Sequence, residues 1–139
     1  SVISFMNIFV NSGPETDVIS ALQFLKRQDS GIVLSHYSNG FFIETVANKE
    51  TVMDTLLSKT PNANQRYIDS NFIFLTRSLK DTKKMLESYG IKYIFIDKSM
   101  KSGLVWDKEE QGLLFLFRNN ETFENIYRAT NAEVWQVLD

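Results

Sequence analysis

Apolar residues spaced three and four positions apart predict helices in several parts of the chain. The first helix covers 14–25, and Ser12 stands where a capping side chain is expected. A short helix is predicted over 41–47, and a further one over 107–117. The apolar cluster Leu113–Phe117 in the last of these is expected to pack on the core.

The best-defined helix and the best-defined strand follow one another directly. Residues 79–89 form an amphipathic pattern between a capping serine, Ser78, and a terminating glycine, Gly90. The next segment, 91–97, is rich in β-branched and aromatic residues, which predicts a strand in a central parallel position.

Shorter apolar runs predict the rest of the sheet. Residues 32–34 indicate a buried strand, and 51–54 a brief second strand ending in an acid. The runs 123–128 and 133–138, joined by a short polar link, predict a terminal β-hairpin. The prediction is one α/β domain over 1–139, a small two-layer or three-layer sheet with parallel core strands, flanking helices and a C-terminal hairpin.

Three segments leave alternatives open. The polar stretch 58–71 indicates a surface loop with at most one helical turn, and 72–75 fits a helix as well as a strand. Residues 2–10 are apolar and uncharged, so that 1–11 are either a first strand or the end of a membrane helix. A signal peptide is the least favoured reading, because a basic flank is missing.

Composition excludes several classes of protein. The chain has 139 residues, 43% hydrophobic and 23% charged, which excludes disorder and coiled coil. A net charge of −2 argues against nucleic-acid binding. Cysteine is absent, so disulfides, thiolate metal sites and a cysteine nucleophile are excluded. No phosphate-binding glycine loop and no nucleophile elbow occur.

The polar loop 35–40 follows the strand 32–34, at the end of the sheet where α/β folds bind ligands. His36, the sole histidine, suits a donor to a sugar hydroxyl or phosphate, or a base, against the alternative of a solvent-facing loop residue. Tyr37 and the Phe41–Phe42 pair offer an aromatic face to a sugar ring or a lipid tail, although a core position is favoured for the two phenylalanines.

Acidic and basic residues give weaker signals. Asp54 and Asp97 each follow a predicted strand and suit cation binding or acid–base work, but turn formation is favoured. The range 77–108 holds eight basic residues against four acids, which suits anionic headgroups but more simply a solvated face. Asn120 begins a glycosylation tripeptide, which permits an extracytoplasmic location.

The order of several segments resembles one family. Residues 33–43 resemble the soluble domain of oligosaccharyltransferase catalytic subunits and related membrane glycosyltransferases of the GT-C class, where a strand runs into a Trp-Trp-Asp-Tyr-Gly loop and an aromatic helix. Asn48–Asp54 stands where that family has Asn-Arg-x-Thr-x-x-Asp. The helix–strand junction 86–96, the helix 14–25 and the end 134–138 are similar too, so the resemblance spans 14–138.

The loop departs from the family at the positions that carry its chemistry. His36, Tyr37, Ser38 and Asn39 occupy the places of the two tryptophans, the aspartate and the tyrosine, and Gly40 alone is retained. In oligosaccharyltransferases this loop reads the Ser/Thr hydroxyl of an acceptor peptide. Because the carboxylate that accepts the hydroxyl proton is missing, that role does not carry over.

The resemblance implies an extracytoplasmic domain, at the plasma membrane of an archaeon or bacterium, of a multi-spanning membrane protein. It would help to position an acceptor or a lipid-linked sugar without being catalytic alone. The residues expected to serve are His36, Tyr37, Ser38, Asn39, Gly40 and Asp54. No cofactor or metal is expected in the domain, whereas the parent would need a divalent metal and a lipid-linked sugar.

The expected partners are the domain's own transmembrane part and, through it, the membrane, with no nucleic acid. The alternative is a stand-alone α/β module that binds a small molecule or a protein. An independent soluble enzyme is the least supported reading, because no catalytic constellation is visible.

Overall fold

A four-stranded mixed sheet forms the centre of the molecule in the computed structural model, which describes residues 13–56 and 60–139. The strands are β1 (Ile32–Leu34), β2 (Ile91–Asp97), β3 (Phe123–Arg128) and β4 (Ala132–Val137). Their spatial order is β1-β2-β4-β3. The β1–β2 pair is parallel, and the β2–β4 and β3–β4 pairs are antiparallel. The predicted α/β fold, parallel core pair and terminal hairpin are confirmed.

Within residues 13–56 and 60–139, five α-helices accompany the sheet: α1 (Pro14–Lys26), α2 (Gly40–Thr45), α3 (Ala63–Leu75), α4 (Leu79–Tyr89) and α5 (Leu113–Leu116). A 3₁₀ turn covers Tyr37–Asn39 and a π-helical turn covers Met100–Leu104. In the two described ranges, no helix has the length and hydropathy that crossing a bilayer requires. Ser12 and the apolar segment 1–11 lie outside the described residues.

Alternating side chains of β2 create two apolar layers, one on each face of the sheet. Tyr93 and Phe95 lie in a cluster with the buried face of α1, which includes Leu22. Ile94 and Ile96 lie in the other cluster, with buried residues of α3, α4 and α5. Helices therefore cover both faces, and the three-layer form of the predicted architecture is the one that occurs.

Helix α4 is built as its sequence predicts. The Ser78 hydroxyl accepts a hydrogen bond from the Asp81 amide at 3.2 Å, and Gly90 ends the helix with a φ of 64°. Thr82 and Leu86 are buried against the core. Cap, apolar stripe and left-handed glycine all indicate the same element, which explains why the prediction was accurate.

Helix α3 occupies most of the stretch predicted as a surface loop, and that prediction was wrong. The helix buries Ser70, Ile73 and Phe74, and it also leaves Ile68 and Phe72 exposed. Apolar residues on two sides of one helix blur the periodicity on which the prediction depends. Residues 72–75, open between helix and strand, belong to this helix.

Two further element predictions were wrong. The helix predicted over 107–117 is reduced to α5, because Gly112 has a φ of 54° and its position lies against the Phe74 carbonyl. The apolar cluster 113–117 nevertheless packs on the core as predicted. The strand predicted over 51–54 is only an isolated parallel bridge from Thr51 to Val33, after which the chain turns away.

A hydrogen bond from Trp106 to the C-terminal end of α3 can be tested by substitution. It is completely buried, its Nε1 donates to the Phe74 carbonyl at 2.7 Å, and this carbonyl is in the last turn of α3. Trp106→Phe removes the donor and leaves a buried carbonyl unpaired, so we expect a loss of about 2–4 kcal/mol in urea unfolding. Half-exposed Leu104→Ala is the matched control and should cost less than about 1 kcal/mol.

Candidate functional site

The loop 35–40 lies at the carboxyl end of β1, at the same edge of the sheet as Asp97, because β1 and β2 are parallel. Its inner side is a small buried polar cluster. Asn39 Nδ2 donates to Ser35 Oγ at 3.1 Å, and Ser35 Oγ donates to the sulfur of Met100 at 3.5 Å. The Asn39 side chain therefore stabilises the loop from the inside. The sequence analysis had placed it among the ligand-binding residues.

His36 forms the N-terminal cap of the 3₁₀ turn. Its Nδ1 accepts a hydrogen bond from the Ser38 amide at 3.2 Å and lies 2.7 Å from Ser38 Oγ. Burial lowers the pKa of the imidazole below its ordinary value of 6.5, and the field of the Asp97 carboxylate opposes that shift. Burial thus favours the neutral imidazole, whose acceptor nitrogen Nδ1 is already occupied by the Ser38 amide.

Tyr37 links the loop to the core. Its ring centroid is 4.4 Å from that of His36 and 6.2 Å from that of Tyr67 on α3. The side chain packs against the larger of the two apolar clusters and keeps part of its surface exposed. Ser38, at the tip of the turn, is exposed.

Gly40 is the place where the chain crosses itself. A Cβ there would lie 2.4 Å from the Met53 carbonyl oxygen, 2.9 Å from the Thr55 nitrogen and 3.0 Å from the Asp54 Cα. The requirement for glycine is one of space, since its φ of −57° is ordinary helical backbone. The structure therefore places Asp54 next to the loop with which the sequence analysis grouped it.

Thr55 fastens this crossing, and sequence reasoning missed it. Its Oγ1 accepts from the Phe41 amide at 2.9 Å and donates to the Tyr37 carbonyl at 3.0 Å. One hydroxyl therefore joins the first turn of α2 to the 3₁₀ turn. A threonine after a short acidic turn carries no signal of such a role, because its two partners lie 14 and 18 positions away.

The two candidate acids, Asp54 on the crossing segment and Asp97 at the end of β2, both support turns. Asp54 Oδ1 accepts from the Leu56 amide at 2.7 Å, and Asp97 Oδ1 accepts from the Met100 amide at 2.9 Å. Asp54 also lines a polar groove of about 440 Å³ with Arg66, whose guanidinium donates to the Val52 carbonyl. Within 13–56 and 60–139, no three acidic or histidine side chains converge as metal ligands would.

Lys49, in the stretch that resembles the family's Asn-Arg-x-Thr-x-x-Asp, has a structural role. The side chain is buried, and its Nζ donates to the carbonyl oxygens of Gln28 at 2.9 Å and Lys26 at 3.4 Å. These carbonyls lie at the C-terminal end of α1, where unpaired acceptors need a donor. The segment 48–54 is thereby held against α1 before it crosses Gly40.

The two phenylalanines that were assigned to the core are exposed, and that prediction was wrong. Phe41 is 53% exposed, Phe42 50%, and nearby Leu56 53%. Ile19 of α1 is also half exposed and lines a groove with Phe42. We call these four side chains the apolar rim. A concentration of large apolar side chains beside one loop is typical of an interaction surface.

The groove beside the rim measures about 800 Å³ and runs between α1 and α2. Its apolar wall consists of Val18, Ile19, Leu22, Phe42 and Val46. Its polar end consists of Glu15, Asn39, Asp97, Lys98, Ser99 and Ser102. The groove therefore reaches the inner side of the candidate loop through Asn39.

The glycosylation tripeptide lies in the turn before β3. Asn120 is exposed, whereas Thr122 is buried and its amide donates to Asn119 Oδ1 at 3.0 Å. In the folded chain the threonine hydroxyl is thus out of reach of a modifying enzyme. Asn120 stays a prediction, and modification would have to precede folding.

The architecture is that of a small mixed α/β domain with a polar loop after the first strand. Solved structures with a similar fold were found by comparison. The C-terminal globular domain of an oligosaccharyltransferase from Archaeoglobus fulgidus matches with a TM-score of 0.65 at 14% identity, over 87% of this chain and 96% of that domain. A second such domain from the same organism matches with a TM-score of 0.54 at 12% identity, over 88% and 95%.

A larger structure matches over a small part of its length. The oligosaccharyltransferase AglB from Archaeoglobus fulgidus, in complex with an inhibitory peptide and a dolichol-phosphate, matches with a TM-score of 0.51 at 14% identity, over 90% of this chain and 18% of that protein. At such identities the likeness establishes the fold. No family model matches the chain. No curated protein matches it significantly.

Gly40→Ala tests the crossing. The added methyl group would collide with backbone atoms, which cannot move away as a flexible side chain can, so we expect a loss of about 1–3 kcal/mol in the free energy of unfolding. Urea denaturation measures this, with exposed Gln23→Ala on α1 as the control. Equal stability of the two variants would contradict the close approach.

Proposed function

We propose that this chain is the extracytoplasmic domain of a multi-spanning membrane protein related to oligosaccharyltransferases, and that it positions an acceptor or a lipid-linked sugar. The observation that carries the proposal is the extent of the structural match. The chain covers 96% and 95% of two isolated C-terminal globular domains, so that it corresponds to a whole domain of that kind. The order of sequence segments resembling the family supports the same assignment.

Burial separates the loop residues that hold the backbone in place from those that can contact a ligand. Asn39 and Gly40 are buried and hold the loop in place, whereas His36, Tyr37 and Ser38 keep exposed surface with which to contact a ligand. The imidazole presents a hydrogen-bond donor and the phenol ring an apolar face. These groups suit the hydroxyl groups and rings of a sugar or the side chains of a peptide.

Catalysis is assigned to other parts of the parent protein. The loop contains no carboxylate, and Asp54 supports its own turn through the Leu56 amide. A divalent metal and the lipid-linked sugar would accordingly be bound by the membrane part. Two matching oligosaccharyltransferase structures from Archaeoglobus fulgidus contain ligands of this kind: one is tethered with an acceptor peptide, and the other is in complex with an inhibitory peptide and a dolichol-phosphate.

The apolar rim is proposed as the face that packs on the membrane part of the parent. Phe41 and Phe42 lie directly after the loop, and Leu56 follows the crossing segment, so the rim borders the ligand-facing residues. Burying these side chains in an interface would remove their apolar surface from water, which is energetically favourable. The same contact would hold the loop against the membrane-embedded site.

A second candidate function is a stand-alone module that binds a small molecule or a protein. The α1–α2 groove favours it, because a concave site of about 800 Å³ with an apolar wall and a polar end has the dimensions of a ligand pocket. In that case binding would be measurable with the 139-residue chain alone, without any membrane part.

His36→Ala and Tyr37→Ala test the role of the loop in the full-length parent protein. Loss of a donor or of a ring contact is worth about 1–1.5 kcal/mol, so we expect sugar transfer to fall about tenfold in each variant. Exposed Lys84→Ala on α4 is the control and should leave transfer unchanged. Normal turnover in both loop variants would contradict the assignment.

Phe41→Ser and Phe42→Ser test the docking face. When this domain and the membrane part are expressed separately, we expect the double variant to lose retention on the membrane part about tenfold or more. Ile68→Ser with Phe72→Ser is the matched control, since these side chains on α3 are equally apolar and exposed. If the α3 control variant is not retained on the membrane part while the rim variant is, the interface lies on α3 and the proposed docking face is wrong.

A further inference from the structure

The His36 side chain has a fixed tautomer. The Ser38 amide can only donate, so the Nδ1 that receives it at 3.2 Å carries no proton. The Ser38 hydroxyl at 2.7 Å must then donate to the same nitrogen. The ring proton is therefore on Nε2, for which no acceptor is present among the residues that the structure describes.

Protonation of the ring is incompatible with part of this arrangement. An imidazolium carries a proton on both nitrogens, so Nδ1–H can still donate to Ser38 Oγ, with the direction of that bond reversed. The Ser38 amide would then face another donor and lose its acceptor. The hydrogen bond from the Ser38 amide to Nδ1 caps the turn Tyr37–Asn39. Losing it destabilises the turn when the ring gains a proton.

The surroundings bias the ring toward its neutral form. The elements around the loop carry several ionisable groups: Asp97 at the end of β2, Lys98 and Lys101 after it, Glu44 on α2, Lys49, Glu50 and Asp54 on the crossing segment, Arg66 and Asp69 on α3, and the phenols of Tyr37 and Tyr67. Of these, the Asp97 carboxylate favours the imidazolium, and burial outweighs it. The net effect is a lowered pKa for His36, which supports the geometric argument.

We propose that His36 is a pH-operated latch on the candidate loop, which holds it in its ligand-contacting form while the imidazole is neutral and releases it on protonation. The hydrogen bonds to Ser38 carry this proposal. Only its consequence for ligand contact depends on the proposed function. In the neutral state Nε2–H is left to donate to a ligand, so the loop would recognise hydrogen-bond acceptors, such as a sugar or phosphate oxygen.

Loss of the His36 cap would also affect residues that contact the turn. The Tyr37 ring lies against the imidazole with centroids 4.4 Å apart, and the Tyr37 carbonyl is one of the partners of Thr55 Oγ1. A change in the cap therefore acts on the aromatic residue that faces the ligand. Because the folded pKa is lower than the unfolded one, the contribution of His36 to stability is present above pH 6.5 and is lost as pH falls toward the folded pKa.

NMR spectroscopy of the 139-residue chain tests the latch without any ligand. Long-range ¹⁵N correlations at about pH 8 should show Nδ1 unprotonated and Nε2 protonated. When His36 is titrated, we expect the protection of the Ser38 amide from exchange, corrected for intrinsic rates, to fall about fivefold as the ring gains a proton.

Two variants separate the latch from a general effect of pH. His36→Asn retains a side-chain oxygen that accepts from the Ser38 amide but does not titrate, so protection of that amide should become independent of pH. Ser38→Ala retains the backbone bond and removes the hydroxyl, so its pH dependence should persist. A proton on Nδ1 at about pH 8, or constant Ser38 protection while His36 titrates, would overturn the latch.

The outcomes also distinguish this proposal from the proposed function. If Ser38 protection follows His36 while transfer by both the His36→Ala and the Tyr37→Ala parent proteins is normal, the latch stands and the role of the loop in transfer is rejected. If protection is constant while His36→Ala lowers transfer, the latch is rejected and the proposed function stands.

Discussion

The close approach of two backbone segments at Gly40 is the constraint on which the candidate site depends. The segment 53–55 passes over this residue at a distance that excludes a Cβ, and Thr55 then joins it to Tyr37 and Phe41 through one hydroxyl. Without the crossing, the loop, the first turn of α2 and the acidic turn at Asp54 would be separate pieces of surface. With it they form one unit at the carboxyl edge of β1.

This arrangement separates the residues that build the loop from those that can contact a ligand. Asn39 and Gly40 face inward, while His36, Tyr37 and Ser38 lie at the surface beside the exposed apolar rim. A rigid base with a few exposed polar and aromatic groups is the usual design of a recognition loop. This design suits the role proposed above, in which the loop contacts a ligand.

The sequence was informative wherever several local signals coincided. Helix α4 has a cap, an apolar stripe and a terminal glycine, and β2 is rich in β-branched and aromatic residues, so both were predicted correctly. It failed where tertiary packing decides: α3 is apolar on two sides, and a positive φ at Gly112 shortens the helix predicted there. The loop was located correctly, but the Thr55 bridge and the exposure of the Phe41–Phe42 pair depend on contacts distant in sequence.

The central claim is that this domain belongs to a larger membrane protein, and the native protein tests it most directly. Cells that produce the protein would be fractionated and probed with an antibody against this domain, and the apparent mass recorded. The account predicts a band in the membrane fraction that is far larger than the 16.1 kDa of the 139-residue chain. A band near that mass in the soluble fraction would contradict it and leave the stand-alone binding module.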